Sequence, residues 1–590
     1  MPLKRDQVSP QRKWNLDSLF TSEEELNEVY NQVKKEIPDF ARFDKKLTPD
    51  NAHECLTKLS EVTRKAERCY VYAGLCRDLN TADPKYQALI SKMQMLLVDL
   101  GSATSFVIPQ ISRFDTETLK EMAERPEYSE FTTIIDSIIR EKKHILSGKE
   151  EKLLSEISSF TGGFKEVFGN LNNADLKFEP VIDNDGKSVE LSHGMYSYLL
   201  QSDDRDIRRK AFENYYKSYI GHKNTIAAAY ASSVKKDCAL SKVRKYKSAL
   251  NKALESETIP EKVYNNLIKA VRKSLPAVHD YVALRKKALG LRKMHMYDMY
   301  VPLTKEFKLS LEYDDAYNLV IEALAPLGEE YKALLEEAYK GGWIDVEETE
   351  NKRSGAYSWG AYDGHPYVLL NYQRTAHDVF TIAHEMGHAI HSYLSNKAQC
   401  YSKASYEIFV AEIASTVNEV LLLKHLLKSA EGERRKFLLA YYLDMFRTTL
   451  FRQTMFAEFE KFSHAQIEAG IPLTAESMSE FYLKLNKKYY GKAVTHDEQI
   501  AYEWSRIPHF YNAFYVYKYA TGLTSAVNIA KKILEDPGFV PKYFEFLSAG
   551  GSMRPLEILA LAEVDLTKEE PFALAMAEFA AVLEELKSLI

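Results

Sequence analysis

The sequence predicts a mainly α-helical protein of two lobes with a small β-sheet, and three observations lead to this prediction. Apolar residues recur at three-to-four spacing along most of the 590 residues. Two stretches interrupt that period, one near residues 162–191 and one near residues 341–372. The chain is also longer than one small core requires. We therefore expect an N-terminal helical lobe over residues 1–195 and a second lobe over residues 196–590.

The first helix is predicted to run from Ser22 to Ile37. Thr21 and Ser22 mark its start, and Glu24 and Glu25 place acidic side chains in the first turn. Helical patterns then continue through residues 50–160.

The first interruption predicts loops followed by a β-hairpin. Gly162-Gly163 and residues 170–173 are typical of loops. The segments Leu176–Ile182 and Lys187–Leu191 flank Asn184-Asp185-Gly186, a strong hairpin signal. Helical patterns resume near Gly194, and the lobe boundary is placed there because the hairpin ends at that point.

The second interruption predicts a small sheet of two to four strands. Glycines alternate with β-branched and aromatic residues in Trp343–Val346, Ser354–Tyr357 and Pro366–Leu370. From Thr375 the pattern is helical to the end, except for a loop at residues 549–552. The sheet therefore lies just before a long helical region.

Composition and charge exclude several classes of protein. The chain has 78 basic and 84 acidic residues, a net charge of −6 that gives no support for nucleic-acid binding. No run of eighteen or more apolar residues predicts a membrane helix. The N-terminal MPLKRD lacks the apolar region of a signal peptide, and the five cysteines are scattered. We expect a cytoplasmic protein with reduced thiols. No oligomeric state is specified, and a monomer is compatible with the sequence.

The segment His384-Glu385-Met386-Gly387-His388 has the spacing of a catalytic metal site. On a helix, residues i and i+4 face the same side, so both histidines can bind one ion. Glu385 can then reach a water on that ion and act as its base. Thr375 and Asp378 form a capping-box pattern at the start of this helix. The alternative is two histidines that only pack or face solvent.

A catalytic zinc site needs a third protein ligand and one open position. His391 shares the helix face but does not fit the three-histidine pattern of related motifs. Glu412 is the better candidate, because its apolar helical surroundings would make an unpaired carboxylate costly. Glu419 lies two turns further on and is predicted to orient a ligand histidine. An ordinary exposed glutamate at position 412 is the alternative.

The residues around this motif closely resemble oligoendopeptidase F, within the thimet-oligopeptidase superfamily of zinc peptidases. The resemblance covers nearly the full chain. It is carried by DVFTIAHEMGHAIHSYLS at 378–395, IFVAEIASTVNE at 408–419, SGAYSWGAYDGHPYVLLNY at 354–372 and PHFYNAFYVYKYATG at 508–522. RKWNLDSLF at 12–20 and LSAGGS at 547–552 add to it.

The resemblance implies a mostly helical ellipsoid split by a deep channel, with one Zn²⁺ on the channel floor near the small sheet. It implies His384, His388 and Glu412 as zinc ligands and Glu385 as general base. It also implies an oligoendopeptidase that cleaves short peptides and excludes folded proteins.

A downstream histidine and tyrosines contact the scissile carbonyl in the family. Here these residues are His509, with Tyr515 and Tyr519, which are predicted to share a helix face after Pro508. The glycines that follow the histidine in better-known relatives are absent, so Tyr511 and Tyr517 remain alternatives.

Substrate binding is predicted at the small sheet. An exposed strand edge near Gly355, Ala356 and Tyr357 can pair with an extended peptide, and His365 can contact substrate. The alternative is a structural sheet with covered edges. For the whole protein, the alternatives are a helical zinc exopeptidase and a non-enzymatic peptide-binding protein with an inactive site.

Overall fold

The computed structural model describes residues 3–183, 186–304 and 311–590. Helix accounts for 73% and strand for 3% of the structure, so the predicted mainly α fold is confirmed. In chain order the helices are α1 Glu23–Glu36, α2 Ala52–Leu79, α3 Pro84–Thr104, α4 Val107–Ile111, α5 Thr116–Glu124, α6 Thr132–Glu141, α7 Gly148–Thr161, α8 Gly163–Asn170, α9 His193–Leu199, α10 Arg205–Gly221, α11 Lys223–Val243, α12 Ala249–Glu255, α13 Glu261–Ala288, α14 Tyr313–Ala323, α15 Gly328–Lys340, α16 Ala376–Ala398, α17 Tyr401–Ala404, α18 Ile408–Ser429, α19 Gly432–Met445, α20 Arg452–Glu468, α21 Ala475–Tyr490, α22 Tyr517–Glu535, α23 Val540–Ser548, α24 Pro555–Leu561 and α25 Glu570–Leu589.

Seven short strands form three small sheets within the described residues. The strands are β1 Val181–Ile182, β2 Ser188–Val189, β3 Met294–His295, β4 Ile344–Asp345, β5 Tyr357–Trp359, β6 Tyr367–Leu369 and β7 Val494–Thr495. The β1–β2 pair is antiparallel, β3–β7 is parallel, and the third sheet has the order β4-β6-β5. In that sheet β6 is the central strand, with β4 parallel and β5 antiparallel to it. Because β5 pairs only with β6 in this order, β5 is an edge strand.

The chain divides into two compact units, each assembled from separate stretches. The first unit comprises residues 1–143, 308–425 and 529–564, and the second comprises 144–307, 426–528 and 565–590. These units are defined by contacts within the chain. The boundary at residues 195 and 196, drawn from the sequence pattern, stays a prediction.

The first unit contains two clusters of buried apolar side chains. One lies among α1 to α6 and includes Val33, Leu56 and Phe131. The other joins residues near the N-terminus to the β4-β6-β5 sheet, with Trp14 edge-on to Tyr367 at a centroid separation of 5.9 Å. α16 packs against α14, α15 and α23 and against this sheet. The sheet and α16 therefore form one layered region.

The second unit is rich in buried aromatic rings. α11 packs against α20, and α13 packs against α20, α21 and α25. Tyr230 and Phe459 stack with centroids 6.0 Å apart, and the Tyr264 hydroxyl donates to the Ala457 carbonyl at 2.6 Å. Much of the tyrosine in the sequence is thus used in packing.

The first helix and the hairpin are present as predicted, whereas the loop predictions that precede the hairpin are wrong. The first helix begins after Ser22, whose side chain accepts from the Glu25 amide at 3.2 Å, as predicted. The hairpin is confirmed, with Val181 opposite Val189, although Asn184 and Asp185 of its turn lie outside the described residues. The loops predicted at Gly162-Gly163 and at residues 170–173 are largely helical instead, because α8 begins at Gly163 and a π-helical turn follows it over Leu171–Asp175.

Two further features concern the cysteines and the apolar helices. All five cysteines are free, and Cys55, Cys69 and Cys76 are buried. In the part of the chain that the structure describes, no single helix is long and apolar enough to cross a membrane. Pro84–Ile111 and Thr116–Glu124 meet that criterion only as a pair, bent by 107°.

Candidate metal centre

The start of α16 sets the register of the predicted metal-binding helix. The Thr375 hydroxyl accepts from the Asp378 amide at 3.2 Å, and the Asp378 carboxylate accepts from the Thr375 amide at 2.8 Å. This reciprocal capping box satisfies amides that have no partner within the helix. It confirms the predicted helix start and places His384 and His388 on consecutive turns.

Three side chains converge at one point of the first unit. His384 Nε2 and His388 Nε2 lie 3.2 Å apart, and each lies 3.5 Å from Glu412 Oε2. Tetrahedral zinc with bonds of about 2.0–2.1 Å holds its ligand atoms about 3.3 Å apart. The separations fit that geometry, and these three residues form a group that can hold a metal ion.

The close approach of two helices brings Glu412 to the histidines. A Cβ atom on Gly387 would lie 2.5 Å from Ser415 Cα and 2.8 Å from the Ala414 carbonyl oxygen. Only glycine leaves room for α18 against α16 at this point. The Asn418 amide adds a bond across the contact, donating to the Ala383 carbonyl at 3.0 Å. Gly387 therefore allows the third candidate ligand to reach the first two.

Glu419, predicted to orient a ligand histidine, lies in contact with His384. Its Oε1 lies 3.0 Å from His384 Nδ1, which leaves Nε2 directed at the candidate site. Burial would lower the pKa of His384, but hydrogen bonds to Glu412 and Glu419 outweigh burial and raise it to about 10. Burial would likewise raise the pKa of Glu412, and the two histidines lower it instead. The two carboxylates thus create a site that favours positive charge.

Glu385 differs from the other acids of the site in being largely enclosed. Its side chain is buried, and this burial raises its pKa above the usual range, with His384 and His388 opposing the shift. Glu412 is the more open group, with 35% of its side chain exposed. A carboxylate with raised proton affinity is suited to accept and return a proton.

His391 takes no part in the convergent group. Its ring stacks on Tyr406 with centroids 3.8 Å apart and an angle of 4°, and Phe546 packs nearby. Neither ring nitrogen finds a hydrogen-bond partner among the described residues. Burial accordingly lowers the pKa of His391 to about 3. The sequence pattern disfavours His391 as a metal ligand, and its packing in the structure agrees with that prediction.

The predicted substrate residues lie at or beside the edge strand β5. Gly355 and Ala356 line a cavity of about 240 Å³ together with His377 and Thr381 of α16. Gly355 has a φ of +85°, a conformation that favours glycine. The structure therefore places this part of the sheet next to the first turns of α16, the helix that carries His384 and His388.

Two of the predicted substrate side chains are engaged within the protein. The Tyr357 hydroxyl donates to Asp78 Oδ2 at 2.9 Å. The His365 ring stacks on Trp343 with centroids 5.0 Å apart and an angle of 2°. These contacts leave the backbone of β5, more than the Tyr357 side chain, as the group that can meet a peptide.

Two residues of α2 support β5, and neither was predicted from the sequence. A Cβ on Gly74 would lie 2.5 Å from the Trp359 ring, so glycine lets β5 lie against this helix. One turn later the buried Asp78 receives Tyr357 and also Arg353 Nη1 at 3.1 Å. Gly74 and Asp78 are four residues apart, but no local pattern indicates their distant partner.

The downstream histidine and tyrosines form a cluster within the second unit. The Tyr519 hydroxyl lies 3.3 Å from His509 Nε2, and the Tyr515 ring lies 5.5 Å from that of Tyr519. The prediction that Tyr515 and Tyr519 share a helix face is wrong, because α22 begins only at Tyr517. Phe514, with a φ of +56°, interrupts the helical path before it.

The candidate tyrosines differ in how deeply their side chains are buried. Tyr515, Tyr519 and His509 are half-buried, whereas Tyr511 and Tyr517 are buried. Tyr511 stacks on Phe168 with centroids 4.6 Å apart, and Tyr517 packs on Tyr264. Burial lowers the pKa of His509, so the imidazole is neutral near pH 7. The two alternative tyrosines are therefore less accessible than the pair first chosen.

A helical fold in which His-Glu-x-x-His and a glutamate from a second helix converge defines the class of metallopeptidases. Comparison with known proteins identifies the family. The model of peptidase family M3 matches residues 198–578, and a model described as oligopeptidase F matches residues 110–178. The chain belongs to peptidase family M3 and is a metalloendopeptidase.

Relatives and solved structures are similar to this chain along nearly its whole length. Oligopeptidase PepF of Bacillus subtilis is 41% identical, over 99% of this chain and 88% of that protein. A solved structure of oligoendopeptidase-F from Enterococcus faecium is 36% identical, with a TM-score of 0.74 over 96% and 99% of the two chains. A solved structure from Chlamydophila abortus is 35% identical, with a TM-score of 0.91 over 100% of both.

Proposed function

We propose that this metalloendopeptidase uses zinc to hydrolyse internal bonds of short, unfolded peptides in the cytoplasm. The observation that carries the proposal is the convergence of His384 Nε2, His388 Nε2 and Glu412 Oε2 at separations of 3.2, 3.5 and 3.5 Å. Two neutral imidazoles and one carboxylate would hold Zn²⁺ and leave it a net positive charge. When bound, zinc acidifies a water and polarises the peptide carbonyl.

Glu385 is the proposed general base. Its carboxylate takes a proton from the attacking water and then transfers it to the nitrogen of the leaving amine. The enclosed position of Glu385 supports this role, because burial raises its affinity for a proton. Glu419 holds the His384 ring in position through Nδ1 during the reaction.

His509, Tyr515 and Tyr519 are proposed to stabilise the developing oxyanion, with Tyr515 or His509 as the donor. The match of His509 to the family's downstream histidine supports the assignment. So does the clustering of the three rings, with each centroid within 6.1 Å of the others. Loss of one such donor typically lowers turnover by about a hundredfold or more.

The edge strand β5 is the proposed substrate-binding element, with Gly355, Ala356 and Tyr357 offering backbone groups and His365 beside them. Backbone pairing at a free strand edge does not depend on side-chain identity, which suits a peptidase of broad specificity. The cavity at Gly355 and Ala356 provides room beside the strand. The exopeptidase and binding-protein alternatives lose their basis, because the family model and the oligoendopeptidase F relatives support a metalloendopeptidase.

The test is cleavage of an internally quenched, end-blocked peptide of about ten residues, a size suited to a cleft-binding ligand. Zinc-loaded wild type is compared with Glu385→Ala and Glu385→Gln. We expect both variants to retain zinc and to lose activity by at least about a hundredfold. His391→Phe is the matched control, since this histidine of the same helix lies outside the convergent group. No cleavage by folded, zinc-loaded wild type would refute the proposal.

A further inference from the structure

The turn before α22 contains a residue in an unfavourable backbone conformation. Phe514 has a φ of +56° and is buried, with 2% of its surface exposed. Residues other than glycine, asparagine and aspartate seldom occupy the left-handed region, because their Cβ approaches the following carbonyl oxygen too closely. Some other part of the molecule must therefore hold Phe514 in place.

Glu460 of α20 supplies that contact. Its Oε1 accepts a hydrogen bond from the Phe514 amide at 2.9 Å, and its side chain is fully buried. The imidazole of His464, one turn further along α20, packs on the Phe514 ring with centroids 4.4 Å apart. One helix thus holds both the backbone and the side chain of this residue.

The surroundings of the Glu460 carboxyl differ from those of its neighbour Glu458. Among the described residues no cation lies within ion-pair distance of its carboxyl, and Oε2 has no hydrogen-bond partner. Two residues earlier on α20, Glu458 is also buried but pairs with Arg272 and accepts from Tyr489 at 2.8 Å. Burial raises the pKa of Glu460 well above its usual range, with the bond from the Phe514 amide opposing the shift and Asp237 adding to it.

The held residue immediately precedes the tyrosine and histidine cluster. Because the backbone angles of Phe514 set the direction of the next residue, they direct the Tyr515 side chain. Tyr515 in turn contacts Tyr519, and both rings lie near His509. A change of Phe514 to an ordinary helical or extended conformation would redirect Tyr515 away from these partners.

We propose that Glu460 is a positioning residue for peptide hydrolysis. Its carboxyl accepts from the Phe514 amide, holds that residue in the left-handed conformation and thereby fixes Tyr515 against Tyr519 and His509. This inference rests on the proposed catalytic role of that cluster. Glu460 contacts no reacting atom itself and acts through Tyr515.

The experiment compares Glu460→Gln, Glu460→Met and the control Glu458→Gln as zinc-loaded, full-length enzymes on the same quenched peptide. Glutamine retains an acceptor oxygen, so we expect kcat within about threefold of wild type. Methionine removes the acceptor at similar volume, and we expect kcat to fall at least about tenfold with KM changed less than about threefold. An equal fall in Glu458→Gln would overturn the inference, because it would reflect a general disturbance of α20.

A double-mutant cycle with Tyr515→Phe separates positioning from a general structural effect. If Glu460 acts through Tyr515, Glu460→Met should lower kcat no further in the Tyr515→Phe background. Fully additive losses would overturn the inference. Wild-type activity in Tyr515→Phe would instead refute the proposed role of the tyrosine, and with it this inference.

A measurement on the wild type covers the case in which Glu460→Met does not fold. Hydrogen exchange of the Phe514 amide should be slow, because that amide is buried and bonded to Glu460. Slow exchange supports the contact. Exchange as fast as in an exposed loop would overturn the inference.

Discussion

At the scale of the residue, Glu419 shows how one side chain can set the chemistry of another. In the proposed site, its contact with His384 Nδ1 leaves Nε2 as the nitrogen free to bind metal. Glu419→Ala should therefore lower zinc affinity by about 10–100-fold, the usual effect of losing such a partner. Competition with a fluorescent chelator measures it. An unchanged affinity would mean that His384 keeps its orientation without Glu419.

His391 gives a second prediction at this scale, for stability against pH. Its pKa falls from 6.5 to about 3 on folding, because its ring is buried against Tyr406 and Phe546. Between these values the unfolded chain binds a proton that the native protein does not bind. Stability is therefore lost as pH falls below about 6.5, by about 1.4 kcal/mol per pH unit from this group.

His391→Phe keeps an aromatic ring in the stack and removes the titration. Thermal melting of wild type and variant between pH 7 and pH 4 measures the effect. We expect the melting temperature of the wild type to fall more steeply with acid, and parallel curves would contradict this account.

At the scale of the element, the contact of α16 with α18 depends on the absence of one side chain. Alanine at position 387 would improve helix propensity by about 1 kcal/mol. Its Cβ would nevertheless meet Ser415 backbone at 2.5 Å, so the helices must separate and withdraw Glu412 from the histidines. Gly387→Ala should lower both zinc affinity and melting temperature, measured by chelator competition and calorimetry.

Gly101→Ala in α3 is the matched control for this prediction. A Cβ on Gly101 would meet nothing within 4 Å, so the same substitution should be neutral or stabilising there. If Gly387→Ala were equally harmless, the close approach of the helices would not be needed to hold the site.

Elements with strong local signals were the ones predicted from the sequence. The capping box at Thr375 and Asp378 located α16, and alternating residues located the sheet of β4, β5 and β6. The β3–β7 pair was missed because two-residue strands two hundred residues apart carry no periodic signal. The start of α22 was misplaced because phenylalanine at position 514 does not indicate a left-handed turn.

At the scale of the whole molecule, the candidate ligands come from two helices of one compact unit. An ion bound by α16 and α18 stabilises only the folded arrangement of these helices, by about 2.7 kcal/mol when free zinc is a hundred times its dissociation constant. Removing zinc with a chelator should lower the melting temperature and increase hydrogen exchange most in α16 and α18. A uniform change along the chain, or none, would contradict this expectation.

The site within that unit was also predictable in part. His384, Glu385 and His388 were predicted from their spacing, and Glu412 from its apolar helical surroundings together with the family resemblance. Asn418, Gly74 and Asp78 could not be predicted, because each acts on a residue that is distant in sequence. Contacts between residues that are far apart in sequence thus determine the parts of the site that local sequence patterns do not predict.

The contact between Gly74 and Trp359 has a practical consequence. Of the four tryptophans, Trp14, Trp343 and Trp504 are buried, whereas Trp359 is half-exposed on β5. Its indole lies against α2 on one side, at the strand proposed to meet the peptide. The protein therefore carries an intrinsic optical reporter, and the quenching of Trp359 emission by acrylamide can follow occupancy of the strand edge without any added label.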